Sequence, residues 1–305
     1  MLAVVGTVPD AAFPLVMGQA ALEGDVISIN GRRAPVNRGT PALLAAAIKV
    51  GEVMGQPRPS AYLAGDIGLG EGSRRLYARL SENSNNGDIN AIAFHYLQPD
   101  VDWHNKVLFA LQEMARRPIL IADAGFMYAA KMSGMAPEYD LFTPDVGELA
   151  FLADEEAPHP FYTRGFILHD DMRVPGLIQR AYMHDNAAAC LLVKGQPDYV
   201  ADREGIQATI DTPVEAAMEA IGGTGDTVTG IVAAFIGAGI EVKEAARLAA
   251  QVNRLAGHLA EPTPATQVME DYRADTLGPY PGAQRKRCCF KSSSCLMPPN
   301  PLILR

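Results

Sequence analysis

The stretch Ile221-Gly222-Gly223-Thr224-Gly225-Asp226-Thr227-Val228-Thr229-Gly230 sets a cluster of glycines and one acid against the start of an apolar helical run formed by Val228, Ile231, Val232, Phe235 and Ile236. Glycines let consecutive backbone N–H groups turn toward one point, and a helix N-terminus adds partial positive charge there. That geometry suits a phosphoryl group or a developing oxyanion. Asp226 stands at its edge, placed to take a proton from an attacking hydroxyl. A plainer reading makes Gly222 and Gly223 a turn, with Asp226 or Thr224 capping the helix. Spacing alone leaves both open. The stretch is neither a Gly-x-x-x-x-Gly-Lys phosphate loop nor, so late in the chain, the dinucleotide fingerprint that follows a first strand.

Upstream, short apolar runs alternate with helical patterns. Strands are expected at Leu2–Val5, Val26–Ile29, Ala61–Ala64, Ala91–Phe94, Ile119–Ala122, Leu141–Phe142, Cys190–Val193 and Tyr199–Ala201. Helices are expected at Pro41–Met54, Gly72–Leu80, Trp103–Met114, Gly147–Leu152, Gly176–Met183, Thr227–Ile236 and Val242–Leu259. Thr40-Pro41 is a helix start, with a hydroxyl at the cap and proline at the first helical position. This alternation predicts an α/β domain with a mostly parallel sheet covered on both faces. One domain is expected over residues 1–275. Residues 276–305 contain Arg285-Lys286-Arg287, Cys288, Cys289 and Cys295 and show no period, so a flexible tail is expected. Adjacent cysteines with no nearby histidine make a poor zinc chelate.

Bulk composition narrows the function classes. The 305 residues are 48% hydrophobic and carry a net charge of −9, which argues against nucleic acid as a main partner. No run reaches the length of a membrane span, and Met1–Gly6 reads as a strand rather than a signal peptide. Four cysteines without a disulfide framework point to a reducing cytoplasm. A homo-oligomer remains open. No Gly-x-Ser-x-Gly elbow supports hydrolase chemistry, and the His95 to His104 spacing matches no standard zinc pattern. His159 and His169 read as loop residues.

Several strand ends carry chemistry. In Thr143-Pro144-Asp145-Val146-Gly147-Glu148, two carboxylates three residues apart can hold a hydrated magnesium ion, or equally cap a helix. Lys194, after Leu191-Leu192-Val193, can meet phosphate as a point charge or simply be the first exposed residue beyond the strand. Asp66 and Gly68, in Gly65-Asp66-Ile67-Gly68-Leu69-Gly70, can shape a polyol pocket or form a plain loop. Asp123 can orient a substrate or a metal-bound water, or make a turn. Arg38, in Asn37-Arg38-Gly39-Thr40, and the Asn30-Gly31-Arg32-Arg33 run can neutralise an anionic ligand or sit solvated.

The ordered trio of Thr143-Pro144-Asp145-Val146-Gly147-Glu148, Val193-Lys194-Gly195 and Gly222–Gly230 resembles the ribokinase-like superfamily. Within it the chain is most similar to the branch of carbohydrate kinases and nucleotide-dependent NAD(P)H-hydrate dehydratases, from about Ile119 to Leu259. The resemblance implies a three-layer α/β/α sandwich with the nucleotide across the carboxyl ends of the strands. It implies Gly223, Thr224 and Gly225 as anion hole and Asp226 as base. Lys194, Gly195 and Gly222 would border ATP or ADP, Glu148 with Asp145 would belong to a Mg2+ network, and Asp66, Gly68, Asp123 and Arg38 would face the acceptor. Two departures stand out. The dehydratases usually show His-Pro where this chain has Asp145-Val146, and their early Gly-Tyr-x-Gly-Ala segment is missing. The expected activity is phosphoryl transfer to a hydroxyl of a small metabolite such as a sugar. The alternatives are the hydrate dehydratase and a nucleotide-binding regulator without turnover.

Overall fold

Leu2–Val8 (β1) is buried along its whole length, because it lies between two parallel neighbours in the middle of a sheet. The structure is a computed structural model that describes residues 1–82, 89–163 and 174–263. The remaining strands are Val16–Gln19 (β2), Ala21–Glu23 (β3), Val26–Ile29 (β4), Arg32–Pro35 (β5), Ser60–Gly65 (β6), Ala91–His95 (β7), Ile119–Ala122 (β8), Leu141–Phe142 (β9), Cys190–Val193 (β10), Asp198–Asp202 (β11) and Gly205–Ile210 (β12). The large sheet runs β12-β11-β10-β9-β8-β7-β1-β6-β2. Its six central strands are parallel, while β2 on one side and the β11–β12 hairpin on the other are antiparallel.

Helices follow at Thr40–Val53 (α1), Glu71–Glu82 (α2), Val101–Gln112 (α3), Ala124–Met132 (α4), Val146–Ala153 (α5), Val174–Met183 (α6), Ala217–Ala220 (α7), Thr224–Gly237 (α8) and Val242–Ala260 (α9). Side chains alternate across a strand, so each strand feeds two cores. Leu2, Val4, Cys190 and Leu192 pack with α1, α8 and α9 on one face. Ala3, Val5, Leu191 and Val193 pack with α2 to α6 on the other. The result is the expected three-layer α/β/α sandwich.

The small antiparallel sheet β3-β4-β5 was not foreseen. Asn30 and Gly31 both take positive φ (47° and 77°), the requirement of a two-residue hairpin turn. Reading Asn30-Gly31-Arg32-Arg33 as a loop, whether its charge neutralises an anion or is solvated, overlooks that signal, although both arginines are exposed. Arg33 instead pairs across this sheet with Glu23 at 2.9 Å. Cys190 is buried, and burial pushes its thiol up to about 12, so it is a packing residue. The 276–305 tail, its cysteines and His169 lie outside the described residues. No helix among the described residues is long and apolar enough to cross a membrane.

Candidate active site

Parallel strands bring their carboxyl ends to one edge, where open α/β sheets bind ligands. Here that edge gathers His95 at the end of β7, Asp123 after β8, Thr143 after β9 and Lys194 after β10. The start of α8 descends onto them. Gly223 occupies its cap position with φ 105°, a left-handed conformation that glycine adopts without steric cost, and no side chain caps the helix. The capping alternative for Asp226 and Thr224 is thereby excluded. Thr224 turns its hydroxyl back to the carbonyls of Met218 and Ile221. The first N–H groups of α8 have no partner within the helix and carry its positive pole.

Asp226, in the first turn of α8, is buried and held at both oxygens. The backbone N–H of Gly39 donates to Oδ2 at 2.5 Å, and His95 Nε2 lies 3.0 Å from Oδ1. An ionised carboxylate only accepts, so the shared proton rests on Nε2. The other ring nitrogen of His95 stands 3.0 Å from the hydroxyl of Thr40, the first residue of α1. Gly6 must be glycine for this contact to form, because a Cβ there would come within 2.4 Å of Thr40 Oγ1. His95, Thr40 and Gly39 were overlooked as site residues. The position of His95 just after the apolar run Ala91–Phe94 is the signal in the sequence that points to it.

Asp123 forms the second hub. Both its oxygens accept from Lys194 Nζ at 2.9 and 3.0 Å, Thr229 Oγ1 donates to Oδ2 at 2.6 Å, and Ala124 N–H donates to Oδ1. Thr143 Oγ1 lies 3.0 Å from that of Thr229, joining β9 to α8. Burial works against the charge of Asp123, but Lys194 and His95 outweigh it and keep the carboxyl below its usual range. Burial likewise disfavours the Lys194 ammonium, and the Asp123 and Glu148 carboxylates hold it above its usual range. Lys194 is therefore a charged floor under the start of α8, 3.8 Å from where a Cβ on Gly225 would stand. The alternative of an exposed strand-end lysine is corrected.

Asp145 and Glu148 do form the capping box of α5, each carboxylate accepting from the other's backbone N–H. Tyr128 also donates to Glu148 at 3.1 Å. Burial raises the Glu148 carboxyl to about 8 against the pull of Lys194, with Asp123 and Asp145 adding to the rise. Gly195 has its N–H on Asp198 and its carbonyl on Arg254, which pairs with Asp198 at 2.7 Å. This clamps the turn after β10. Arg38 is exposed, and its chain passes 3.7 Å from where a Cβ on Gly222 would be.

Asp66 lies at the end of β6, but its carboxylate accepts from the N–H groups of Gly68, Gly70 and Ser73 and from the Ser73 hydroxyl. Asp66 and Gly68 thus build their own turn. His104 is buried in the core with Tyr139 and Asn105. No group of three or more metal-binding side chains occurs among the described residues.

The chain has counterparts among known proteins. A family model described as NAD(P)H-hydrate dehydratase matches residues 98–277, more than half of the chain. An uncharacterized protein of Methanocaldococcus jannaschii, MJ1337, is 41% identical over 75% of this chain and 94% of its own length. The bifunctional NAD(P)H-hydrate repair enzyme Nnr of Pyrobaculum aerophilum is 28% identical over 72% of this chain, which spans 43% of that larger protein. Among solved structures, phosphofructokinase-2 of Escherichia coli in complex with potassium superposes with a TM-score of 0.51 at 12% identity. The match covers 88% of this chain and 96% of that one. At that identity the likeness speaks for the fold.

Proposed function

The chain belongs to the NAD(P)H-hydrate dehydratase family and is an enzyme of ribokinase-like fold, and from that premise we propose nucleotide-dependent phosphoryl transfer to a hydroxyl of a small metabolite. The observation that carries this reading is the buried Asp226 carboxylate, fixed by Gly39 and His95 beside the N–H groups that open α8. The acceptor hydroxyl gives its proton to Asp226, and its oxygen attacks the terminal phosphorus of ATP or ADP. The shortened nucleotide leaves with the bridging oxygen. Such a transfer depends more on positioning and charge neutralisation than on a strong base. The backbone N–H groups of Gly223, Thr224 and Gly225 serve as anion hole. Lys194 supplies charge from beneath, Arg38 from the rim beside Gly222, and Gly195 borders the nucleotide.

A magnesium ion fits Glu148 and Asp145. Magnesium takes one or two carboxylates and fills its remaining positions with water and phosphate oxygens. A cation would also restore the charge that burial denies Glu148. Once bound, it would neutralise phosphate charge.

The favoured acceptor is the hydrate of NADH or NADPH, because the family match covers Asp123, Asp145, Glu148, Lys194 and the Gly222–Asp226 turn. After transfer, phosphate leaves with the C–O bonding pair and a ring C–H proton is lost, which restores the dihydropyridine. A stable phosphoester product, as in a carbohydrate kinase, is the second reading. It is favoured by Asp145-Val146 standing where dehydratases usually carry His-Pro.

The test is nucleotide consumption with magnesium across NADH hydrate and a sugar panel. Consumption should require the acceptor and fall by about 100-fold or more in Asp226→Asn, the scale of a lost general base. NADH appearing from its hydrate marks the dehydratase, and a persistent phosphoester marks the kinase. Near-normal turnover in Asp226→Asn would refute the mechanism.

A further inference from the structure

Glu148 is anchored at both of its oxygens, by groups from two different helices. Within its own turn, the backbone N–H of Asp145 donates to Oε2 at 2.8 Å, which is the return half of the capping box of α5. From α4, the Tyr128 hydroxyl donates to Oε1 at 3.1 Å. A capping box asks only for the first of these bonds. That bond fixes one oxygen and leaves the carboxylate free to rock about it, whereas the second fixes the plane of the group. A carboxylate has about four lone-pair sites on its two oxygens, so both bonds together leave each oxygen able to meet a cation or a cation-bound water.

The phenol is itself held in place. Tyr128 is half-buried, and its ring meets the buried Phe151 of α5 edge-on, with centroids 5.3 Å apart and planes at 86°. Three residues further along α4, Lys131 reaches the carbonyls of Phe151, Asp154 and Ala157, so α4 grips both ends of α5. The first turn of α4 is capped by Asp123, whose carboxylate accepts from the Ala124 N–H and from Lys194. Tyr128 thereby sets Glu148 against the helix that begins at the counter-charge of Lys194. Packing on Phe151 needs only the ring, and a phenylalanine would supply it. The hydroxyl goes to Glu148.

Magnesium demands near-octahedral geometry, so its binding depends on the direction in which a carboxylate faces. We infer that Tyr128 is the positioning residue of the cation site: its hydroxyl fixes the Glu148 carboxylate in the plane from which that group meets magnesium or a magnesium-bound water. The inference rests on the reading of Glu148 and Asp145 as the magnesium site and adds the group that aims it. In the test, Mn2+ alone is titrated into the full chain in place of Mg2+, and binding is read from the loss of the free-ion EPR signal. Tyr128→Phe keeps the ring and removes the donor. It should weaken Mn2+ binding about tenfold or more, the scale of a lost partner to a ligating group. Glu148→Gln should weaken it at least as far, and Tyr128→Phe added to that variant should cost nothing more, because the two act as one unit. Metal-free ADP affinity should stay unchanged in Tyr128→Phe.

A hydroxyl that only joined the two helices would lower the thermal midpoint when removed and leave Mn2+ affinity as it was. That result, with Glu148→Gln impaired, would overturn the inference while the metal site stands. So would losses that simply add in the double variant. Parent-like binding in Glu148→Gln, or no Mn2+ binding by the parent protein, would take the cation away from Glu148 and this inference with it. Phosphoryl transfer itself is read separately, from acceptor-dependent nucleotide consumption.

Discussion

At the scale of single residues, Asp226, the base of the proposed transfer, is defined by its supports. Asp226 accepts from a backbone N–H and from an imidazole, and that imidazole is itself oriented by a threonine hydroxyl. Fixing a carboxylate from two sides costs no reorganisation when the substrate arrives. In the proposed transfer His95 is thus a positioning residue that acts through Asp226. His95→Leu should lower kcat about tenfold, as expected when a hydrogen bond to a charged group is lost, with little change in the nucleotide KM. His95→Gln, whose amide can still donate, should recover part of the loss. Equal kcat in both variants would argue that the ring merely fills space.

At the scale of elements, α1 and α8 form the support on which the site rests. α1 is buried on nearly every side, with Ala42, Leu43, Leu44, Ala45, Ala46, Ala47 and Ile48 all in the core. α8 approaches it through Gly230, where a Cβ would stand 2.2 Å from the Leu43 carbonyl oxygen. Backbone cannot yield there as a side-chain tip could. Gly230→Ala should therefore cost about 2–3 kcal/mol by overpacking, read as a lower thermal midpoint. It should also reduce activity, because parting α8 from α1 separates Asp226 from Gly39. An unchanged midpoint would mean that the helices do not pack this closely. At the other end of α5, buried Lys131 donates to the carbonyls of Phe151, Asp154 and Ala157, and so holds the helix whose start carries Asp145 and Glu148.

At the scale of the whole molecule, pH reports on the core away from the site. His104 is buried between Tyr139 and Asn105, and burial holds its imidazole below the ordinary 6.5. Between that depressed value and 6.5 the unfolded chain binds more protons than the folded one, so stability rises with pH across this window. Stability should fall as pH drops below about 6.5. The thermal midpoint of the parent protein should fall more steeply between about pH 7 and pH 5 than that of His104→Gln. Parallel slopes would show that His104 titrates alike in both states.

By itself the sequence determined the alternation of strands and helices, the parallel sheet and the helix that begins at the glycine-rich turn. Four-residue apolar runs and 3.6-residue periods are local patterns, and Leu141–Phe142 and Cys190–Val193 are strands with the bounds those patterns predict. It also marked Asp226, Lys194 and Glu148 as chemistry at strand and helix ends. Which partner each of them meets is settled only by the tertiary structure. Asp226 meets His95 across 131 residues, Lys194 meets Asp123 across 71, and Asp66 turns inward on its own loop. Those pairings arise because successive crossovers return each parallel strand to the same edge, whereas periodicity records which face a residue occupies and not which partner it finds there.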